Sequence, residues 1–130
     1  MIDHVSAYTT HYEAAKRFYE AVLAPLGSKL QHELTATRDP EFPTRRMCAF
    51  GPTRPIFWVI EVREPSTPRH AAFSAATRAQ VDAFHRAALA SGARDNGAPG
   101  VRAIYHPNYY GAFVFDPDGN NVEAVCHAPA

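Results

Sequence analysis

Four residues stand out by type and placement. His4 and His70 each open a short apolar stretch, and Glu61 and Glu123 each interrupt one near the end of a half of the chain. A carboxylate set between Ile60 and Val62, or between Val122 and Ala124, has two ways to exist. It faces solvent on an exposed sheet side, or it is paired or metal-bound inside. By strand alternation Glu61 shares a face with Phe57 and Val59, and Glu123 with Asn121 and Val125. If those faces converge, two neutral imidazoles with one or two carboxylates suit a first-row divalent ion such as Fe, Mn, Ni, Co or Zn. Taken singly, each residue also has a plainer role: a hydrogen-bonded histidine at a strand start, or a Glu61 ion pair with an arginine. His11, His32, His85 and His127 have no partner in the pattern and read as surface or packing residues.

A second region with chemical capacity runs Tyr105-His106-Pro107-Asn108-Tyr109-Tyr110-Gly111. Aromatic and imidazole groups at this density suit a substrate wall, with rings supplying apolar area and polar tips fixing orientation. His106 and Tyr109 are candidate proton or hydrogen-bond donors. The alternative is a packed turn whose tyrosines fill a dimer interface. Arg45-Arg46 has the chemistry to bind a carboxylate, although a solvated strand edge explains it as well.

These residues are positioned by an internal repeat. A shift of 66 residues superposes His4 on His70, Phe18 on Phe84, Ala21 on Ala87, Leu23 on Leu89 and Ala24 on Ala90. Each half opens with a short strand at its histidine and continues with a helix and several strands. Thr10-His11-Tyr12-Glu13 and Thr77-Arg78-Ala79-Gln80 both fit a capping box, in which Thr and Glu/Gln satisfy each other's backbone N–H groups. Apolar residues at helical spacing follow: Ala14, Ala15, Phe18, Val22 and Leu26, then Val81, Phe84, Ala88 and Leu89. Gly27 and Gly92 stop the two helices. Later strands are expected at Arg46 to Gly51, Ile56 to Val62, Val101 to Tyr105, Gly111 to Asp116 and Asn121 to His127. The segment Thr35 to Thr44 is expected to be a loop. The segment Glu64-Pro65-Ser66-Thr67-Pro68 is a hinge, dividing one domain (1–130) into modules 1–64 and 68–128.

Composition narrows the function. The chain has 130 residues, enough for one domain with its own core. Thirteen Lys+Arg against thirteen Asp+Glu give a net charge of zero, which removes the electrostatic case for nucleic acid or an anionic membrane. No stretch reaches the roughly 18 apolar residues of a membrane helix. The opening Met1-Ile2-Asp3-His4-Val5 has no signal-peptide pattern, which points to the cytoplasm. Cys48 and Cys126, without metal-type spacing, read as buried free thiols.

The chain resembles the vicinal oxygen chelate superfamily, the glyoxalase/bleomycin resistance protein/dioxygenase group. The resemblance rests on His4 with Phe18-Tyr19, on His70-Ala71-Ala72-Phe73, and above all on Asp116-Pro117-Asp118-Gly119-Asn120-Asn121-Val122-Glu123. It implies an α+β fold of two βαβββ modules in one chain, a glyoxalase/dihydroxybiphenyl dioxygenase-like fold whose curved mixed sheet forms a cup. It also implies His4, His70 and Glu123 as ligands of a divalent metal ion, with Glu61 as a possible fourth. Glu123 would then double as a catalytic residue beside His106 and Tyr109. The implied partners are a small-molecule substrate with two adjacent oxygens and a second copy of the chain in a homodimer. The implied activity is that of a lyase, an isomerase or an extradiol-type dioxygenase. Metal-free members use the same cup to bind a drug or metabolite, and that is the alternative function.

Overall fold

The structure, a computed structural model, describes all 130 residues. Two four-stranded mixed sheets and two helices build two βαβββ modules in one chain. The first module comprises β1 (Val5–Thr9), α1 (Tyr12–Leu23), β2 (Lys29–Thr35), β3 (Arg46–Gly51) and β4 (Phe57–Glu61). The second comprises β5 (His70–Ser74), α2 (Arg78–Ala90), β6 (Arg94–Val101), β7 (Tyr110–Phe115) and β8 (Asn121–Cys126). The strand orders are β1-β4-β3-β2 and β5-β8-β7-β6, with β1–β4 and β5–β8 parallel. No helix is long and apolar enough to cross a membrane.

Alternation decides which face of each sheet meets a helix. In the first sheet Ala7, Cys48, Phe50, Phe57 and Val59 point to α1; in the second Val122, Ala124, Ala112 and Val114 point to α2. All belong to a single buried cluster that also holds Phe18, Tyr19, Val81 and Phe84. The helix-bearing faces therefore share one core. The opposite faces are left open: Ser6, Tyr8, Trp58 and Ile60 on the first sheet, His70, Ala72, Phe113 and Glu123 on the second. Both cysteines are free and buried.

The two helix starts differ. Thr77 and Gln80 form the expected capping box. At α1 the N-cap is His11 and no side chain caps it. Thr10 is instead held by Asp118 of the other module, which accepts from its backbone N–H at 3.0 Å. A long-range partner thus replaces the local Glu13 that spacing suggests. Helix α1 passes into a short 3₁₀ turn, Ala24–Leu26, and Gly27 ends it at φ 83°. The expected strand from Val101 to Tyr105 is mostly loop: β6 ends at Val101, and Arg102 to Tyr109 leaves the sheet. The real strand, Arg-Asp-Asn-Gly-Ala-Pro-Gly-Val, has no apolar alternation and carries register shifts beside Gly97. Strand β2, at Lys29–Thr35, lay outside the expected elements for the same reason.

One buried polar contact crosses the module boundary. The Tyr19 hydroxyl, on α1, donates to Asp116 Oδ2 at 2.6 Å, and Asp116 also accepts from Asn120 and from the Asp118 and Asn120 backbone. Burial, then the neighbouring Asp116 charge, holds the Tyr19 phenol well above its ordinary value. Replacing Tyr19 by Phe removes the strongest donor from a buried carboxylate. The expected loss is about 1.5–3 kcal/mol of stability by urea unfolding. A loss below about 0.5 kcal/mol would show that the remaining donors satisfy Asp116 without α1.

Candidate functional site

The open face of the second sheet gathers the side chains with chemical capacity. Parallel pairing sets Ala72 opposite Glu123, so His70 and Glu123 lie on one face, two residues apart in register. His70 Nε2 is 3.1 Å from Glu123 Oε1. His70 Nδ1 is 3.0 Å from the Asn121 carbonyl, which only accepts, so Nδ1 carries the ring hydrogen of the neutral histidine. That leaves the Nε2 lone pair directed at a carboxylate. Phe113, beside Glu123 on β7, stacks near the imidazole at 6.4 Å between centroids.

Glu123 is only 2% exposed although it stands on the open face. The cover is the loop from Arg102 to Tyr109, closed at its base by the Arg102 N–H donating to the Tyr109 carbonyl at 2.7 Å. From this loop the Tyr109 hydroxyl donates to Glu123 Oε2 in a short hydrogen bond. Gly111 makes the fit possible: a Cβ there would lie 3.2 Å from both Glu123 Oε2 and the Tyr109 ring. Burial, followed by the Glu123 hydrogen bond and charge, pushes the Tyr109 phenol up to about 12. Tyr109 therefore stays protonated near neutrality and acts as a fixed donor.

His106 stands behind Tyr109, with its ring 5.5 Å away. The Asn108 N–H donates to His106 Nδ1 at 3.1 Å, so His106 Nε2 carries hydrogen and donates to His127 Nδ1 at 2.8 Å. His127, read from sequence as a surface or packing residue, is exposed and also joins the Tyr109 cluster. It sits just past β8, and the alternation of that strand gives no hint of its partner across the loop. Tyr105 and Ile104 form an exposed rim beside it.

The first module places its two candidates elsewhere. His4 is exposed, with Nδ1 2.8 Å from Asp3 Oδ1. Strands β1 and β5 run antiparallel, edge to edge: Tyr8 meets Arg69 and Phe57, level with Val5, meets Phe73. His4 is therefore displaced from His70 by three to four residues of strand, roughly 12 Å along the seam. Glu61 faces α1, where Arg46 grips it through the backbone N–H at 3.0 Å and Nη2 at 2.7 Å. This pairing lowers the Glu61 pKa below the ordinary carboxylate value. The residue that register matches to Glu123 is Trp58: it stands opposite Ser6, two beyond His4, as Glu123 stands opposite Ala72, two beyond His70. The repeat thus brings together His70, Glu123 and Tyr109, and sets His4 and Glu61 apart from them.

The donor set fits a divalent ion in part. An imidazole lone pair and a buried carboxylate oxygen face one another, with the imidazole's far nitrogen anchored to a carbonyl as metal-binding histidines usually are. No group of three His, Cys, Asp or Glu side chains converges within one chain. A cavity of about 330 Å³ runs from His70 into the seam between β1 and β5, lined by Val5, Ser6, Ala7, Phe57 and Phe73 among others.

The model of the Glyoxalase/Bleomycin resistance protein/Dioxygenase superfamily matches residues 1–124. No curated protein matches the chain. Among solved structures, a glyoxalase/bleomycin resistance protein from Albidiferax ferrireducens T118 is 28% identical, with a TM-score of 0.77 over 97% of this chain and 98% of that one. A glyoxalase/bleomycin resistance protein/dioxygenase family enzyme from Burkholderia phytofirmans PsJN is 22% identical, with a TM-score of 0.67 over 97% and 98%. An E144Q mutant of glyoxalase I from Zea mays, at 18% identity and a TM-score of 0.69, aligns over 95% of this chain and 46% of its own.

The Tyr109–Glu123 contact has a spectroscopic consequence. A phenolate absorbance titration, assigned by difference against Tyr109→Phe, is expected to show Tyr109 ionising at about 12. Glu123→Gln is expected to lower that value, because the repelling charge goes, while burial keeps it above the ordinary phenol. Since the folded value is raised, this group stabilises the fold below pH about 10 and the contribution is lost as pH rises toward 12. An unchanged Tyr109 titration in Glu123→Gln would disconnect the two residues.

Proposed function

The chain belongs to the glyoxalase/bleomycin resistance protein/dioxygenase superfamily, and from that premise we propose that it is a divalent-metal-dependent enzyme acting on a small molecule with two adjacent oxygens. The observation that carries this reading is the His70 Nε2 to Glu123 Oε1 approach of 3.1 Å, on a carboxylate almost wholly withdrawn from water. Two lone-pair donors held face to face need a proton or a metal ion between them, and a buried carboxylate without either is costly.

Three residues complete the proposed ligand set: His70 and Glu123 of one copy, and His4 of a second copy in a homodimer. His4 is solvent-exposed at the end of β1 and therefore free to meet another chain. Trp58 occupies the position where a second carboxylate would stand, so the set is two histidines and one carboxylate. That composition leaves coordination positions open and, among the reactions of the family, favours dioxygenase over glyoxalase-type lyase chemistry. The bound ion would supply Lewis-acid polarisation of the two substrate oxygens. Tyr109 would hold its proton at the phenol oxygen and fix Glu123 through Oε2. The loop from Arg102 to Tyr109 would limit water at the carboxylate, and the apolar seam beside His70 would take the body of the substrate. His106, one ring behind Tyr109, would support that loop and offer a second donor.

The alternative is a metal-free protein that binds a drug or metabolite, and the absence of a third donor from the same chain favours it. Metal analysis separates the two. Protein purified without a chelating tag is expected to carry about one divalent ion per chain, lost in His70→Ala and Glu123→Gln and kept in Glu61→Gln. Mixing and refolding His4→Ala with Glu123→Gln is expected to restore metal to about a quarter of the sites, since half of the dimers would hold one intact pair of surfaces. No recovery on mixing would place the ligands in a single chain. Protein that ignores added Mn, Co, Ni, Zn and anaerobic Fe(II) would sink the enzyme reading and leave the binder.

A further inference from the structure

Away from both open faces, a groove of about 660 Å³ lies between α1 of the first module and the β6–β7 side of the second. Its floor is apolar: Ala14, the buried Phe18, Ala93 and the half-buried ring of Phe115. Two guanidinium groups line it, Arg17 from α1 and Arg94 from the start of β6. Arg94 lies over the Phe115 ring at 4.4 Å, which fixes the plane of the guanidinium while leaving its N–H edges unused. Neither Arg17 nor Arg94 donates a hydrogen bond to any protein acceptor or reaches a carboxylate within ion-pair distance. Arg45, Arg46, Arg54, Arg63 and Arg102, by contrast, all do one or the other; Arg38, Arg69, Arg78 and Arg86 also lack such a partner, but only Arg17 and Arg94 line this groove.

The only acid in the groove lining is Asp116, whose two oxygens already accept from Tyr19, Asn120 and two backbone N–H groups. On α1, Glu13 is committed to Arg46, and Glu20 lies outside the lining. The charges that line the groove are thus two unpaired guanidinium groups and the hydrogen-bonded Asp116 carboxylate, which leaves the cations in excess above an aromatic and aliphatic floor. The volume lies within the usual range for small-molecule sites.

We infer that this groove is a binding site for a small organic anion: a phosphate or carboxylate group held between Arg17 and Arg94, with a flat apolar body lying on Phe18 and Phe115. A guanidinium fork matches either oxyanion, and the stacked arginine is already oriented for it. The site is separate from the His70–Glu123 centre, and neither its residues nor its chemistry depends on a metal ion.

The test uses the full chain in EDTA, with phenyl phosphate, phthalate and the neutral benzyl alcohol as probes, followed by calorimetry and by backbone amide shifts. Phenyl phosphate or phthalate is expected to bind, with shifts at Arg17, Ala93, Arg94 and Phe115, and the stronger of the two identifies the oxyanion. Benzyl alcohol is expected to bind at least tenfold more weakly. Arg17→Gln and Arg94→Gln are each expected to weaken the anion by about tenfold. Ala14→Glu, at a half-buried position in the floor of the groove, is expected to abolish binding while leaving the unfolding midpoint near that of the parent. Glu123→Gln is expected to bind the anion as the parent does, which keeps this result independent of the metal centre. Equal affinity for the anions and the alcohol, unchanged affinity in both arginine variants, or shifts confined to the His70 face would overturn the assignment. So would a groove closed by a second copy of the chain, seen as dimer dissociation in Ala14→Glu.

Discussion

Tyr19 donates its hydroxyl to Asp116 at the point where the first helix meets the last turn of the second module, and around that contact the two modules share one core. Half a chain of this size buries too little apolar surface to be stable alone. Each module has one apolar face, so the two such faces must cover each other. Everything else follows from that constraint. The helices pack against each other, the Asp116–Asn120 turn becomes a structural hub, and Thr10 is capped across the boundary by Asp118. The faces turned away from the core remain available for chemistry, and there His70 and Glu123 stand. The edges of β1 and β5 are left unpaired along the seam, which opens the small cavity beside His70.

The duplication preserved backbone more closely than side-chain chemistry. The parallel pairs β1–β4 and β5–β8 set a histidine two residues before the level of a partner position in each module. In one module that position is Glu123; in the other it is Trp58. Two carboxylates brought to one centre would repel each other and need a higher charge between them. An indole removes that demand and offers an apolar wall instead. Glu61, three residues beyond Trp58, has turned to the other face of its sheet, where Arg46 neutralises it and Arg46 in turn lies over the Tyr12 ring.

Much of the fold was legible because it is written in local signals. The strand beginning at His70, the strand from Arg46 to Gly51, the Thr77 capping box and both glycine stops depend on residues close in sequence. Strands β2 and β6 were not legible, since both are polar edge strands defined by their partners rather than by their own alternation. The site divides in the same way. The 66-residue repeat singles out His4 and His70, and the aromatic density of Tyr105 to Tyr110 singles out the loop. Glu61 and Trp58 could not be told apart without the register, because one residue of slip exchanges the two faces of a strand. His127 and Gly111 gave no sign at all: one acts through a contact across the loop, the other through the space that its missing side chain leaves.

The centre on the second sheet is best understood through what each of its atoms can donate. The Asn121 carbonyl claims the hydrogen on His70 Nδ1, and Tyr109 spends its own hydrogen on Glu123 Oε2. Between His70 Nε2 and Glu123 Oε1 there is then no hydrogen left to share while the imidazole is neutral. Only a positive particle makes that approach favourable, either an added proton or a metal ion using the same two lone pairs. The two would use the same pair of atoms, so a proton there would exclude a metal ion. Tyr109 cannot relieve the contest, since its phenol keeps its hydrogen up to about pH 12. Its contribution is geometric: it occupies one carboxylate oxygen and leaves the other, held under the loop, aimed at His70 alone.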